Sequence, residues 1–77
     1  MGTYKFSYKR LWKLMIDLGV SKKELREKSG VSAASIAKLG HGDNVTTDVL
    51  LRICTALKCE VGDIMEIVLE PDKQQEE

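Results

Sequence analysis

The 77-residue chain has few of the residues that interrupt or cross-link a fold. It contains one proline, two cysteines and one histidine, and its aromatic residues make up 5% of the sequence. Pro71 follows the last apolar segment, so the helices before it are free of proline breaks. Cys54 and Cys59 lack the paired short spacings of structural zinc sites, which favours buried free thiols over a metal site.

Long hydrophobic segments are also missing. No apolar run approaches the roughly 18 residues that span a bilayer, and Met1 to Lys9 lacks the hydrophobic region of a signal peptide. We therefore expect a single cytoplasmic domain with no membrane segment, and no disulfide. The single histidine and the absence of a glycine-rich phosphate loop argue against an enzyme. We expect no cofactor and no metal.

The net charge is zero, yet the charges are unevenly distributed along the chain. Residues 1–42 carry nine Lys or Arg against three acids, a net charge of +6, whereas residues 43–77 carry three against nine, a net charge of −6. Phosphate affinity depends on the local basic surface, so the N-terminal half is a candidate for contact with a polyanion. The alternative is that these charges only solvate helix faces.

Residues 21–39 have the pattern of a short helix, a glycine turn and a second short helix. Ser21 and Glu24 form a predicted capping box that starts the first helix. Gly30 is placed to end that helix at positive φ, and Ser32 is placed to cap the next one. The pattern therefore predicts a helix-turn-helix. Its large apolar residues give each helix one buried stripe: Leu25, Val31, Ile36 and Leu39.

Apolar spacing and cap residues predict the other helices. A first helix is expected at about residues 8–18, ending at Gly19, with its apolar stripe at Leu11, Leu14, Met15 and Leu18. A fourth helix is expected to start at Thr46 or Thr47. A short fifth helix is expected at about residues 61–65. Trp12 is expected to cover the core.

The two ends of this helical region have the pattern of short strands. Residues 3–8 alternate between apolar and polar, and residues 66–69 contain a brief apolar run. Pairing of these segments between protomers would bring basic residues close to acidic ones: Lys5 and Lys9 near Glu66 and Glu70. Pairing within one chain is the alternative. We divide the chain into an N-terminal arm (1–7), a helix-turn-helix domain (8–69) and a polar tail (70–77).

The sequence GVSAASIAKL (residues 30–39), with residues 8–14 before it and 49–67 after it, resembles the small single-domain members of the Cro and phage-repressor (XRE) type. The resemblance covers residues 8–69. It rests on the turn, the caps and the block Ile53-Cys-Thr-Ala-Leu57, which match in order and spacing. It implies an all-α, five-helix lambda-repressor-like domain, to which short terminal strands could be added. It also implies a transcriptional regulator that binds sequence-specifically to double-stranded DNA.

The same resemblance implies that the second helix of the motif, about residues 32–40, enters the DNA major groove. Lys38 and the small surface of Ala33 and Ala34 would face the bases, the alanines through thymine methyl groups. Other side chains would fix the register on the backbone: Lys22, Ser32, Ser35, Lys9, Arg10 and His41. For Lys22 and His41 the alternative is a solvated position at a helix end. Arg26 stands where the family often has alanine, at a position where the two helices of the motif pass closely, so its side chain must extend outward.

A single recognition helix with two alanines at its start contacts few base pairs. We therefore expect a homodimer that places two such helices about 34 Å apart on one face of DNA. The alternative is a helix-turn-helix fold used as a protein-binding adaptor or antitoxin, whose acidic half covers a basic partner. Ala33 and Ala34 favour that alternative, and the net charge of +6 in the first half opposes it.

Overall fold

The computed structural model describes residues 2–70, so the predicted polar tail lies outside the described residues except for Glu70. Along the chain the elements are β1 (Thr3–Ser7), α1 (Lys9–Leu18), α2 (Lys22–Ser29), α3 (Ala33–His41), α4 (Thr47–Leu57), a 3₁₀ turn (Val61–Asp63) and β2 (Glu66–Glu70).

The helix ends follow the predicted capping residues. Ser21 and Glu24 form the capping box, with both side-chain to backbone hydrogen bonds at 3.1 Å. Thr46 caps α4 by accepting a hydrogen bond from the Val49 N–H at 3.3 Å. Gly19 ends α1 in the left-handed conformation at φ 69. These bonds satisfy backbone groups that a helix end would otherwise leave unpaired, which explains why the ends fall where they do.

The predicted five-helix, all-α fold is wrong in its number of helices, whereas the short terminal strands that the resemblance allowed are present and make the fold not purely α. Residues 2–70 contain four α-helices, and the expected fifth helix at residues 61–65 is a single 3₁₀ turn, Val61–Asp63. Gly62 lowers the helix propensity of this short segment. The chain beyond it is also committed to strand pairing, since β2 begins at Glu66. The fold is therefore four helices with a small two-stranded sheet.

The sheet is formed within one chain. β1 and β2 pair antiparallel, with Thr3 opposite Glu70 and Ser7 opposite Glu66. The attraction that the sequence suggested between basic and acidic strands is present, because the Lys5 ammonium lies 2.7 Å from the Glu70 carboxylate. The proposed pairing between protomers is thus incorrect for these two strands. Both chain ends of the domain meet at one side of the helices.

The core draws residues from all four helices and from the segment after the 3₁₀ turn. Its fully buried side chains are Leu11, Leu25, Leu39, Ile53 and Ile64. The predicted buried residues of the helix-turn-helix are confirmed, since Val31 and Ile36 are buried with Leu25 and Leu39. Leu18 is instead 51% exposed, because it is the last residue of α1. Trp12 is partly buried and packs against the core as expected.

Candidate DNA-binding surface

A buried serine fixes the turn between α2 and α3. The Ser29 hydroxyl donates a hydrogen bond to the Leu25 carbonyl at 2.6 Å and accepts one from the Val31 N–H at 3.2 Å. Gly30 follows in the left-handed conformation, at φ 73, and its N–H donates to the Arg26 carbonyl at 2.9 Å. Gly30 was predicted from the sequence. Ser29 was missed, because nothing in a helix-ending Ser-Gly pair says that the hydroxyl will be buried.

The first turn of α3 is held by its own serines. Ser32 accepts a hydrogen bond from the Ser35 N–H at 3.2 Å, and its hydroxyl donates to Ser35 Oγ at 3.3 Å. Ser32 is exposed and Ser35 is partly buried. The two hydroxyls that were predicted to contact the DNA backbone therefore lie at the start of α3, and they are hydrogen-bonded to each other.

The side chains of α3 separate into a buried stripe and an exposed one. Ile36 and Leu39 pack into the core and anchor the helix. The exposed stripe is small and basic, and it consists of Ala33, Ala34, Ala37, Lys38 and His41. His41 is the last residue of α3, whereas the helix was predicted to end at about residue 40. The predicted base-facing residues are thus brought together on one accessible face.

A shallow depression of about 500 Å³ lies between α2 and this face of α3. Ala33 and Ala37 contribute to its lining, together with the cationic side chains of Lys22 and Arg26 and the imidazole of His41. Arg26 was not among the predicted site residues. The resemblance placed it where α2 and α3 pass closely, with its side chain directed outward, and the structure has it beside α3.

The Lys22 ammonium lies above the Trp12 ring, 4.9 Å from the ring centroid. A cation over an aromatic face is attracted by the ring quadrupole, by about 0.5–1 kcal/mol where the pair is exposed. The contact joins the first residue of α2 to α1. It restricts the Lys22 head group to the edge of the depression described above.

Lys9 and Arg10 begin α1, and the structure places them differently. Lys9 and His41 both line a groove of about 410 Å³ between the sheet and the C-terminal end of α3. Arg10 instead donates a hydrogen bond to the Gly62 carbonyl at 3.0 Å and forms an ion pair with Glu66 at 3.2 Å. Arg10 is therefore engaged with the 3₁₀ turn and β2, and the structure does not bring it to the α3 face.

The ion pairs leave the cations around α3 unneutralised. Within residues 2–70, the paired basic side chains are Lys5, Arg10 and Arg52. None of these lies on α2 or α3, and no ion pair in the described region involves Lys22, Arg26 or Lys38. Most of the unpaired basic side chains of the positive half thus lie on the helix-turn-helix, with Lys9 and Lys13 on α1.

The two cysteines lie near the end of α4, and both are free and partly buried. Burial, followed by the neighbouring Cys54, raises the pKa of the Cys59 thiol to about 11. Such a thiol stays protonated and unreactive near neutral pH. In the described part of the chain, no three His, Cys, Asp or Glu residues are grouped so that they could hold a metal ion. Residues 2–70 also contain no helix of the length and hydrophobicity that a membrane span requires.

Helices α2 and α3 are joined by a tight turn at Gly30, and α3 exposes one face that has free cations beside it. This arrangement is that of a helix-turn-helix protein. A family model described as a Cro/C1-type HTH DNA-binding domain matches residues 10–70. The chain belongs to this family, and it is a small XRE-type helix-turn-helix regulator.

Among solved structures, the chain is similar to the crystal structure of the transcriptional regulator VanUg, Form II. The two sequences are 50% identical, and the match covers 91% of this chain and 92% of that chain, with a TM-score of 0.83. A search of the curated proteins found no match.

Proposed function

We propose that this regulator binds double-stranded DNA sequence-specifically, with α3 in the major groove. The observation that carries the proposal is the exposed face of α3, where small side chains are edged by Lys22, Arg26 and Lys38. A helix can approach base edges closely only if its facing side chains are short. Phosphates on either side of the groove then require cations at the margins.

Each residue of this face has a chemical role in the proposal. Lys38 donates to base edges, and Ala33 and Ala34 contact thymine methyl groups. Phosphate contacts come from residues at the margin, which are Lys22, Lys9, His41, Ser32 and Ser35, and we add Arg26 to them. Arg10 is the weakest of the predicted contacts, because its guanidinium is engaged with Gly62 and Glu66.

The protein acts in this proposal by occupying an operator in the cytoplasm, without catalysing a reaction. It does so as a homodimer, because one α3 helix with two alanines at its start contacts too few base pairs to select one site. A two-fold axis would place two α3 helices about 34 Å apart, one turn of DNA.

The test is fluorescence anisotropy on duplexes selected from a random pool, repeated across a salt series. We expect tight binding whose logarithmic salt slope is about −0.9 per phosphate contact. Lys22→Ala should weaken all duplexes alike and reduce the slope by about one contact.

Lys13→Ala is the matched control. Lys13 is an exposed helical lysine of the same basic half, but it lines a depression with Asp17, Gly62 and Asp63 to which α2 and α3 do not contribute. Its removal should leave the slope unchanged. Absent or salt-independent binding to every duplex, alongside a tight protein partner, would replace the proposal with the adaptor or antitoxin function.

A further inference from the structure

The two faces of the small sheet differ sharply in chemistry. Residues directly opposite each other in an antiparallel pair share a face, and successive residues alternate between faces. Tyr4 lies opposite Leu69, and Phe6 lies opposite Ile67. These four side chains therefore form one face, which we call the outer face. The inner face carries the remaining residues of the two strands: Thr3, Lys5, Ser7, Glu66, Val68 and Glu70.

The inner face contacts α1, and its charged side chains form ion pairs with α1 or with each other. Glu66 pairs with Arg10 of α1 at 3.2 Å, and Lys5 pairs with Glu70 across the strands at 2.7 Å. Glu66 and Val68 are partly buried and line the groove beside α3. The charged residues of both strands are thus all on the inner face, and the outer face has none.

The outer face is exposed although every one of its side chains is large and apolar. The exposed fractions are 76% for Tyr4, 40% for Phe6, 64% for Ile67 and 59% for Leu69. With roughly 200 Å² for a side chain of this size, these fractions leave on the order of 450 Å² of adjoining apolar surface. A patch of this area is within the range of the largest apolar patches on monomeric proteins, roughly 300–600 Å², which are often functional.

We propose that a second copy of this chain covers the outer face, with the two sheets stacked across a two-fold axis. The inference deepens the homodimer of the proposed function and rests on it. An isologous contact brings the same patch together from both copies. Here that patch carries no charge, so stacking it on itself meets no like-charge repulsion. DNA is a poor occupant, because the face offers no cation to a phosphate.

The area fits a reversible dimer. Two outer faces together remove on the order of 900 Å² of apolar surface, and the edges of the strands add a polar rim. Specific, stable interfaces bury roughly 1,200–2,000 Å² in total, so the apolar area alone is below that range and fits a weak, reversible contact. An isolated two-stranded sheet is at best marginally stable in water, and stacking two of them gives each a packed face.

The experiment is sedimentation equilibrium of the full chain from about 1 µM to about 1 mM. We expect a monomer–dimer equilibrium with a dissociation constant in the micromolar range. The double variant Tyr4→Thr/Ile67→Thr keeps strand-forming residues but removes the two most exposed side chains of the outer face. It should weaken the dimer at least tenfold. The single variant Ile67→Thr serves the same purpose if the double variant loses its helical circular dichroism.

The matched control is Ile16→Gln/Leu51→Gln. These residues are 79% and 66% exposed, but they lie on α1 and α4. Their replacement should leave the dimer unchanged. A wild-type monomer at every concentration overturns the proposal and leaves the face to a different protein. A dimer that survives both threonine variants, or that the control weakens equally, also overturns it and moves the interface to the strand edges or the helices.

Anisotropy on a selected half-site separates this inference from DNA binding. The monomeric threonine variant should still bind the half-site with salt dependence, since its α2 and α3 are untouched. Loss of all duplex binding by a wild-type protein that still dimerises would remove the proposed DNA-binding function and leave the outer face as the interface.

Discussion

At the scale of single residues, Lys38 differs from its neighbours on the exposed face of α3 by its long, charged side chain. The neighbouring side chains at Ala33, Ala34 and Ala37 end in methyl groups, which cannot donate hydrogen bonds. Lys38 carries three donors and lies on the same exposed stripe. Any hydrogen-bonded discrimination between bases by the middle of α3 therefore falls to this one ammonium group.

We predict that Lys38→Ala relaxes the selected DNA motif at one position, with a loss of about 1–3 kcal/mol in discrimination there. Selection from a random duplex pool with wild type and variant measures it. Lys13→Ala again supplies the control for loss of one positive charge. An unchanged motif in Lys38→Ala would transfer specificity to thymine methyl contacts or to DNA shape.

Cys59 gives a second prediction at this scale, through the pKa of its thiol. Burial, and then Cys54, raise this pKa from 9.0 to about 11 in the folded state. The folded protein therefore favours the protonated thiol. The stability from this preference is complete below pH 9 and is lost as pH rises towards 11. Wild type should lose more thermal stability between pH 9 and about pH 10.5 than Cys59→Ala does. Equal losses would mean that the thiol ionises normally.

At the scale of elements, the structure separates what the sequence encodes locally from what it does not. The helix caps could be predicted because the bonded groups are three residues apart, as for Ser21 and Glu24. The exposed stripe of α3 could be predicted because 3.6-residue periodicity alone divides Ile36 and Leu39 from their neighbours. The contribution of each of these residues to DNA binding stays a prediction.

Apart from the buried Ser29 hydroxyl, whose partners are local, the missed features depend on contacts between separate elements of the chain. Arg10 meets Gly62 and Glu66, more than 50 positions away, and nothing near Arg10 in the sequence announces this. The pairing of β1 with β2 within one chain is non-local in the same sense. The expected fifth helix is a 3₁₀ turn, because the pairing that begins at Glu66 leaves few residues after α4 for a helix.

Ser29 carries the prediction for the helix-turn-helix as a unit. Ser29→Ala removes the hydroxyl that joins the Leu25 carbonyl to the Val31 N–H and leaves that N–H buried without its partner. We expect a loss of about 1–3 kcal/mol in the free energy of unfolding. Denaturant unfolding followed by circular dichroism measures it.

Thr55→Ala is the matched control for Ser29. The Thr55 hydroxyl also bonds the carbonyl four residues earlier, at 2.8 Å to Leu51, but it is exposed and water can replace it. That variant should stay within about 0.5 kcal/mol of wild type. A Ser29→Ala protein as stable as Thr55→Ala would mean that the α2–α3 turn does not depend on the buried hydroxyl.

At the scale of the whole molecule, the charges and the apolar surface occupy different places. Free cations lie around α2 and α3, while the uncharged outer face of the sheet adjoins the groove at the C-terminal end of α3, which Phe6 lines together with Lys9 and His41. In the proposed dimer, a second copy on the outer face would leave Lys22, Arg26 and Lys38 uncovered.

A dimer of this kind constrains the DNA that it selects. We predict a motif with two-fold symmetry, whose half-sites are about 10–10.5 base pairs apart, because two α3 helices must enter successive major grooves on one face. Inserting five base pairs between the half-sites turns one of them to the opposite face of the duplex. We expect affinity to fall to that of a single half-site. Inserting ten base pairs returns both half-sites to one face, and it restores part of the affinity only if the dimer can span the longer distance.

The Tyr4→Thr/Ile67→Thr protein should be insensitive to spacing, since each copy binds alone. An asymmetric selected motif, or a wild-type affinity that ignores the five-base-pair insertion, would mean that this regulator recognises DNA as a monomer.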